Sequence, residues 1–175
     1  MHIDRQVHVM KSPHSNENGF SLTELIVIMG LISILLSIAT INFNQWQNKA
    51  FIERDTRELQ ASLTDLRQKA MTRKLVHTAT INAGNYLFKQ FTSASDDGNA
   101  TKDTIQTKVA GIPLSNASGT PWSNLVITFD DRGYTSDNAT IVVGPADSFA
   151  AVNCLVVSTA RINLGKMNGG KCEFQ

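Results

Sequence analysis

The feature that most limits how this chain can fold is an uncharged run near its start. No Asp, Glu, Lys or Arg occurs from Leu25 to Gln47, and the part up to Ile41 is almost wholly apolar. A helix of about 20 predominantly apolar residues is long enough to cross the hydrocarbon core of a bilayer. The run therefore predicts a membrane-spanning helix and excludes a plain cytosolic globule.

Composition limits what the rest of the 175-residue chain can be. Its length allows one modest domain beyond the apolar helix. A net charge of +1 argues against a protein that is strongly basic overall and binds nucleic acid through that charge. Two cysteines are too few for a four-cysteine zinc site, and neither has a Cys-x-x-Cys or His-x-x-x-His partner nearby.

The residues before the apolar run carry the most specific pattern. The polar stretch from Met1 ends at Gly19, and Phe20-Ser21-Leu22-Thr23 leads to a single carboxylate, Glu24, at the start of the apolar helix. A charge at the centre of a membrane helix costs about 2.5–3.5 kcal/mol on insertion scales and less near an interface. Glu24 therefore needs a shallow depth or a partner, and a functional role is the first hypothesis.

This pattern resembles the class III signal of type IV prepilins and type II secretion pseudopilins. The resemblance implies that a membrane peptidase, the prepilin peptidase, removes residues 1–19 by cutting between Gly19 and Phe20, and methylates Phe20. It also implies that residues 20–43 hold the subunit in the inner membrane until they enter a filament core made with other pilins or pseudopilins. There Glu24 would compensate a buried N-terminal ammonium. The alternative is a signal anchor without an assembly role.

After the apolar run the helix is expected to continue over residues 44–74 as an amphipathic segment. An apolar stripe recurs at spacings of four, three and four, at Leu59, Leu63, Leu66 and Ala70. Trp46 lies where the run turns polar, which suits either an interfacial anchor or packing between subunits.

Residues 75–175 change to strand periodicity and are expected to form a periplasmic β-rich domain. Together with the helix they predict an α+β, pilin-like fold in which a long N-terminal helix packs on an antiparallel β-sheet. The strands are predicted at 76–81, 86–91, 104–109, 125–129, 140–143, 154–158 and 161–164.

Within the pilin-like group, the chain most resembles minor pilins and pseudopilins of the FimT/GspH type. The residues that carry this resemblance are Phe129–Gly133 and Leu155–Ile162, which look like the strand, turn and final hairpin of that group. The sequence leaves open whether the chain serves a type IV pilus or a type II secretion filament, because both use the same processing and scaffold.

The end of the chain holds two further candidate sites. Cys154 and Cys172 enclose the final predicted hairpin, and an oxidising compartment favours a disulfide between them. Residues 155–171 contain Arg161, Lys166 and Lys171 and no acid. Such a patch can contact phosphates, and the resemblance to FimT-type minor pilins implies DNA binding for DNA uptake as the alternative function. A merely solvated hairpin is the simpler interpretation.

No catalytic or cofactor motif is found. The chain has no phosphate-binding loop, nucleophile elbow or zinc-protease helix, and beyond the predicted leader His77 is its only histidine. We therefore predict a non-catalytic protein with no cofactor and no metal site. A membrane-anchored enzyme of unknown type is the third and weakest hypothesis.

Overall fold

The computed structural model describes residues 19–91 and 103–174. In this part of the chain one long helix precedes nine strands, and the chain divides into two units after Asn42. The helix is α1 (Leu22–Arg73), and the strands are β1 (His77–Ile81), β2 (Asn85–Gln90), β3 (Asp103–Val109), β4 (Leu114–Ser115), β5 (Leu125–Phe129), β6 (Ala139–Val143), β7 (Cys154–Ser158), β8 (Arg161–Asn168) and β9 (Lys171–Phe174).

The second unit, which begins at Phe43, is built around the striped half of α1. All four predicted stripe residues are buried, with side chains at most 1% exposed: Leu59, Leu63, Leu66 and Ala70. Burying a Leu side chain contributes about 1.5–3 kcal/mol relative to leaving it in water. The predicted amphipathic packing of this helical segment is therefore confirmed.

The strands form two antiparallel sheets, whereas one sheet was predicted. The first has the order β3-β2-β1-β5 and the second the order β4-β6-β7-β8-β9. The chain leaves the first sheet after β3, adds the two-residue strand β4 to the second, and returns for β5. Strand periodicity does not reveal such exchanges, because it identifies strands and not their neighbours. The α+β class with a long N-terminal helix on antiparallel strands is confirmed.

Both sheets share one hydrophobic core with α1. Ile81 and Ile127 from the first sheet and Ile141 and Leu155 from the second are fully buried in the cluster that contains Leu63. Two half-buried sheets joined by one helix stripe make a single folding unit, since no layer can bury its apolar face alone.

The turn after β5 fastens the second half of α1 to the strands. Arg67 Nε donates a hydrogen bond of 2.7 Å to the Gly133 carbonyl. Gly133 has a φ of 78°, and a Cβ there would lie 2.7 Å from Met71 Cγ. Only glycine meets both demands without strain. The Phe129–Gly133 segment therefore has a structural role, which is to bring the turn after β5 against α1.

The predicted disulfide between Cys154 and Cys172 is present and joins strands that are not neighbours. Cys154 is on β7 and Cys172 on β9, with β8 between them. Strands two places apart in a flat sheet are about 9–10 Å apart, yet these two Cα atoms are 6.0 Å apart. The sheet therefore folds sharply across β8, with Gly165 directly opposite Cys154 in the register.

Gly165 makes this fold possible because it has no side chain. A Cβ at this position would lie 2.8 Å from Cys172 Sγ and would also collide with the Glu173 carbonyl oxygen. The sequence predicted the bridge but not its geometry, since it showed one hairpin between the cysteines where the structure has β8 and the start of β9.

Replacing Gly165 with alanine is expected to prevent the disulfide or to displace β9. Closing a loop of about 15 residues is worth about 3 kcal/mol in the chain-entropy model, so the free energy of unfolding should fall by a similar amount. Mass spectrometry after thiol alkylation of protein from an oxidising compartment measures the bridge. The matched control is Gly84→Ala, where a Cβ meets no atom within 4 Å; an intact bridge and unchanged stability in Gly165→Ala would contradict this account.

Candidate functional site

The first described residues form the start of α1. Gly19 and Phe20 are exposed and precede the helix, and the Ser21 carbonyl accepts a hydrogen bond of 3.1 Å from the Leu25 amide. Ser21 is therefore the N-cap residue, and Glu24 lies in the first turn. A carboxylate there is favoured by the partial positive charge of the helix N-terminus. The Ser-x-x-Glu spacing is also that of a capping box.

The apolar half of α1 is exposed wherever the structure describes its side chains. Every side chain from Leu22 to Ile38 is exposed, and α1 contains a stretch long and apolar enough to cross a membrane, none of it buried. Soluble monomers rarely expose a contiguous apolar surface of this size. The surface therefore requires lipid or other protein around it.

The same segment is matched by a known family. Residues 14–40 match the family model described as the prokaryotic N-terminal methylation motif. This match supports a type IV prepilin-like protein. The matched residues include Gly19, Phe20 and Glu24 together with most of the apolar run. No curated protein and no solved structure matches the chain significantly.

The predicted domain boundaries stay predictions in this prepilin-like chain. Residues 1–18, which make up almost all of the predicted leader, lie outside the described residues. The finer resemblance to the FimT/GspH type is likewise a prediction, since the motif covers the N-terminal segment that all such chains share.

The three cations of the C-terminal hairpin are exposed but do not form one patch. Arg161 begins β8 and Lys171 begins β9, so the two lie near opposite ends of the hairpin. Seven residues of β8, about 23 Å at 3.3 Å per residue, separate Arg161 from Asn168, which is the register partner of Lys171.

An acid also lies beside the second cation. Glu173 on β9 is directly opposite Lys166 on β8 and accepts a hydrogen bond of 3.2 Å from Asn168 Nδ2. Sequence reasoning missed Glu173 because it falls just outside the cysteine-bounded loop, and only the strand register brings it next to Lys166. DNA binding through Arg161, Lys166 and Lys171 stays a prediction to which this geometry adds nothing.

His77, the only histidine beyond the predicted leader, is buried on β1. Its ring is 0% exposed, and its Nδ1 lies 2.8 Å from the Leu75 carbonyl oxygen. A ring closed off from solvent has no face on which to meet a substrate. Within the described residues, no group of three or more His, Cys, Asp or Glu side chains is placed to hold a metal ion.

Burial lowers the pKa of His77 below its ordinary 6.5, and the nearby charges of Arg73 and Lys69 lower it further, while the hydrogen bond to the Leu75 carbonyl acts in the opposite direction. As the pH falls, the unfolded chain therefore protonates His77 at a higher pH than the folded chain does. Below about pH 6.5 the free energy of unfolding should fall, by up to about 1.4 kcal/mol per pH unit for one proton. Above that pH the effect should vanish.

Denaturant unfolding of the wild type and of His77→Gln between pH 5 and 7.5 measures this. The difference between the two pH profiles isolates the histidine from the carboxylates. Parallel profiles would show that His77 does not resist protonation in the folded state.

Proposed function

We propose that this protein is a non-catalytic filament subunit, a minor pilin or pseudopilin of a type IV pilus or a type II secretion filament. The observation that carries the proposal is the methylation motif at residues 14–40, on a helix whose apolar side chains are exposed from Leu22 to Ile38. Prepilin peptidase would cleave between Gly19 and Phe20 and methylate Phe20, leaving a mature chain of residues 20–175.

The exposed apolar helix suits both states of such a subunit, the membrane-anchored state and the assembled state. Before assembly, residues 20–43 lie in the inner membrane, where lipid covers their apolar side chains. During assembly the same side chains pack against helices of other pilins or pseudopilins in a filament core. Transfer from lipid to a protein core changes little apolar exposure, so specific packing and charge pairing must direct it.

Glu24 supplies that charge pairing. Within the described residues the structure gives it no cation at salt-bridge distance, and in an apolar filament core an unpaired carboxylate would be costly. Cleavage after Gly19 creates a new ammonium at Phe20, four residues away in sequence. An ammonium of this kind beside Glu24 would neutralise both charges.

The globular unit fits the periplasmic side of the inner membrane. Its disulfide between Cys154 and Cys172 needs an oxidising compartment. The fold presents a charged and polar face of α1 and two antiparallel sheets. Its role is to contact neighbouring subunits while α1 anchors it. DNA uptake is the alternative function, and it depends on cations that the strand register separates.

Replacing Glu24 with glutamine is expected to block filament entry and to leave membrane insertion and cleavage intact. Removing one partner of a buried ion pair costs about 3–5 kcal/mol, so incorporation should fall to a small fraction of the wild-type level. Immunoblots of the filament and membrane fractions from the native host measure both quantities.

The matched control is Asp65→Asn, which removes an exposed carboxylate that pairs with Lys69 at 2.7 Å on the same helix. This variant should assemble normally. Wild-type incorporation of Glu24→Gln would contradict the pairing, and a chain that keeps residues 1–19 in every background would contradict the proposed function.

A further inference from the structure

Four of the six exposed aromatic side chains described in the second unit lie at one end of it, and the other two are Tyr134 and Phe174. Three of these four lie at its start on α1: Phe43 is 55% exposed, Trp46 64% and Phe51 45%. Phe43 and Trp46 stack with ring centroids 6.2 Å apart. The fourth, Phe149, is 81% exposed in the loop between β6 and β7.

That loop lies directly beside the start of the unit. The Ala151 amide donates a hydrogen bond of 2.7 Å to Glu53 Oε1, and Pro145 lines a surface cleft together with Asn48 and Phe51. Glu53 is seven residues, or about 10 Å of helix axis, beyond Trp46. The loop and the helix aromatics therefore belong to the same region of the surface.

The loop is held in shape from beneath by Asn153. This side chain is fully buried, and its Nδ2 donates to the Ala146 carbonyl at 3.2 Å and to Ser148 Oγ at 3.0 Å. Its Oδ1 accepts a hydrogen bond of 2.7 Å from the Met167 amide on β8. These buried hydrogen bonds fix the conformation of the loop. Phe149, the one large apolar side chain of the loop, is exposed in that fixed conformation.

The turn between β8 and β9 reaches the same region and brings a cation. Asn168 and Gly170 border one shallow cleft with Ala146 and the exposed Asp147. The exposed Lys171 follows directly. Near the opposite end of β8, the Ile162 carbonyl accepts a hydrogen bond from Gln60, which lies farther along α1. Strand β8 thus runs back toward the end of the unit at which α1 enters it.

We propose that this region, formed by residues 43–51, 145–151 and 168–171 and called here the aromatic end, contacts the lipid surface of the membrane. Phe43 follows the apolar run along the chain, so the membrane lies at this end of the unit. Aromatic rings are stabilised at the lipid headgroup level, and a lysine there is attracted by lipid phosphate. The inference rests on the proposed membrane anchoring, and it makes the Phe149 loop a second contact that orients the domain.

Photocrosslinking of the full chain in phospholipid vesicles tests the proposal. Benzoylphenylalanine replaces one residue at a time: Phe149 as the test, Tyr134 as the matched control, and Ile34 as the marker of the membrane anchor. Tyr134 is 48% exposed on the turn that docks on Arg67, away from the aromatic end. Mass spectrometry identifies what each position is joined to.

We expect lipid adducts at positions 149 and 34 and none at position 134. Adducts at 34 but none at 149 would overturn this inference and leave the membrane anchoring standing. Chain-to-chain crosslinks at 149 in place of lipid adducts would make the aromatic end a contact between copies, and would also overturn it. No lipid adduct at either position would overturn the membrane anchoring, and this inference with it.

Discussion

One helix must satisfy two different surroundings, and the rest of the structure follows from that constraint. Helix α1 extends without interruption from Leu22 to Arg73. Its first half has apolar side chains on every face, which only lipid or other apolar helices can cover. Its second half has one apolar stripe, which the two sheets cover. The boundary between the two patterns divides the chain into its two units.

The globular unit covers the second half of α1 and fixes it at two points. The stripe at Leu59, Leu63 and Leu66 receives apolar residues from both sheets. The second sheet adds a smaller buried cluster of its own at Val142, Cys154 and Met167. The turn at Gly133 fastens the far end of α1, and Glu53 holds the loop that carries Phe149 near its start. Hydrogen bonds thus join the helix to the strand-connecting loops near both ends of its striped segment.

Much of this could be predicted from sequence because it depends on short-range pattern. The methylation motif, the stripe and seven of the strands are each visible within windows of about 20 residues. The split into two sheets, the strands β4 and β9, and the sharp fold at Gly165 depend on pairing between distant segments. Periodicity carries no information about pairing, which is also why the acid beside Lys166 was missed.

The candidate site divides in the same way. Gly19, Phe20 and Glu24 lie within six consecutive residues, so a linear motif contains all three. The aromatic end joins α1, the loop after β6 and the turn after β8, and only the folded chain brings these three segments together. A patch inferred from composition alone, such as the three cations of the C-terminal hairpin, has no such support, because strands carry residues of one loop to opposite ends.

The most direct test of the central claim is the intact mass and N-terminal sequence of the protein purified from native membranes. We expect a chain that begins at Phe20, with one methyl group on its amino nitrogen. A chain that retains Met1, or one cut after the apolar run, would contradict it.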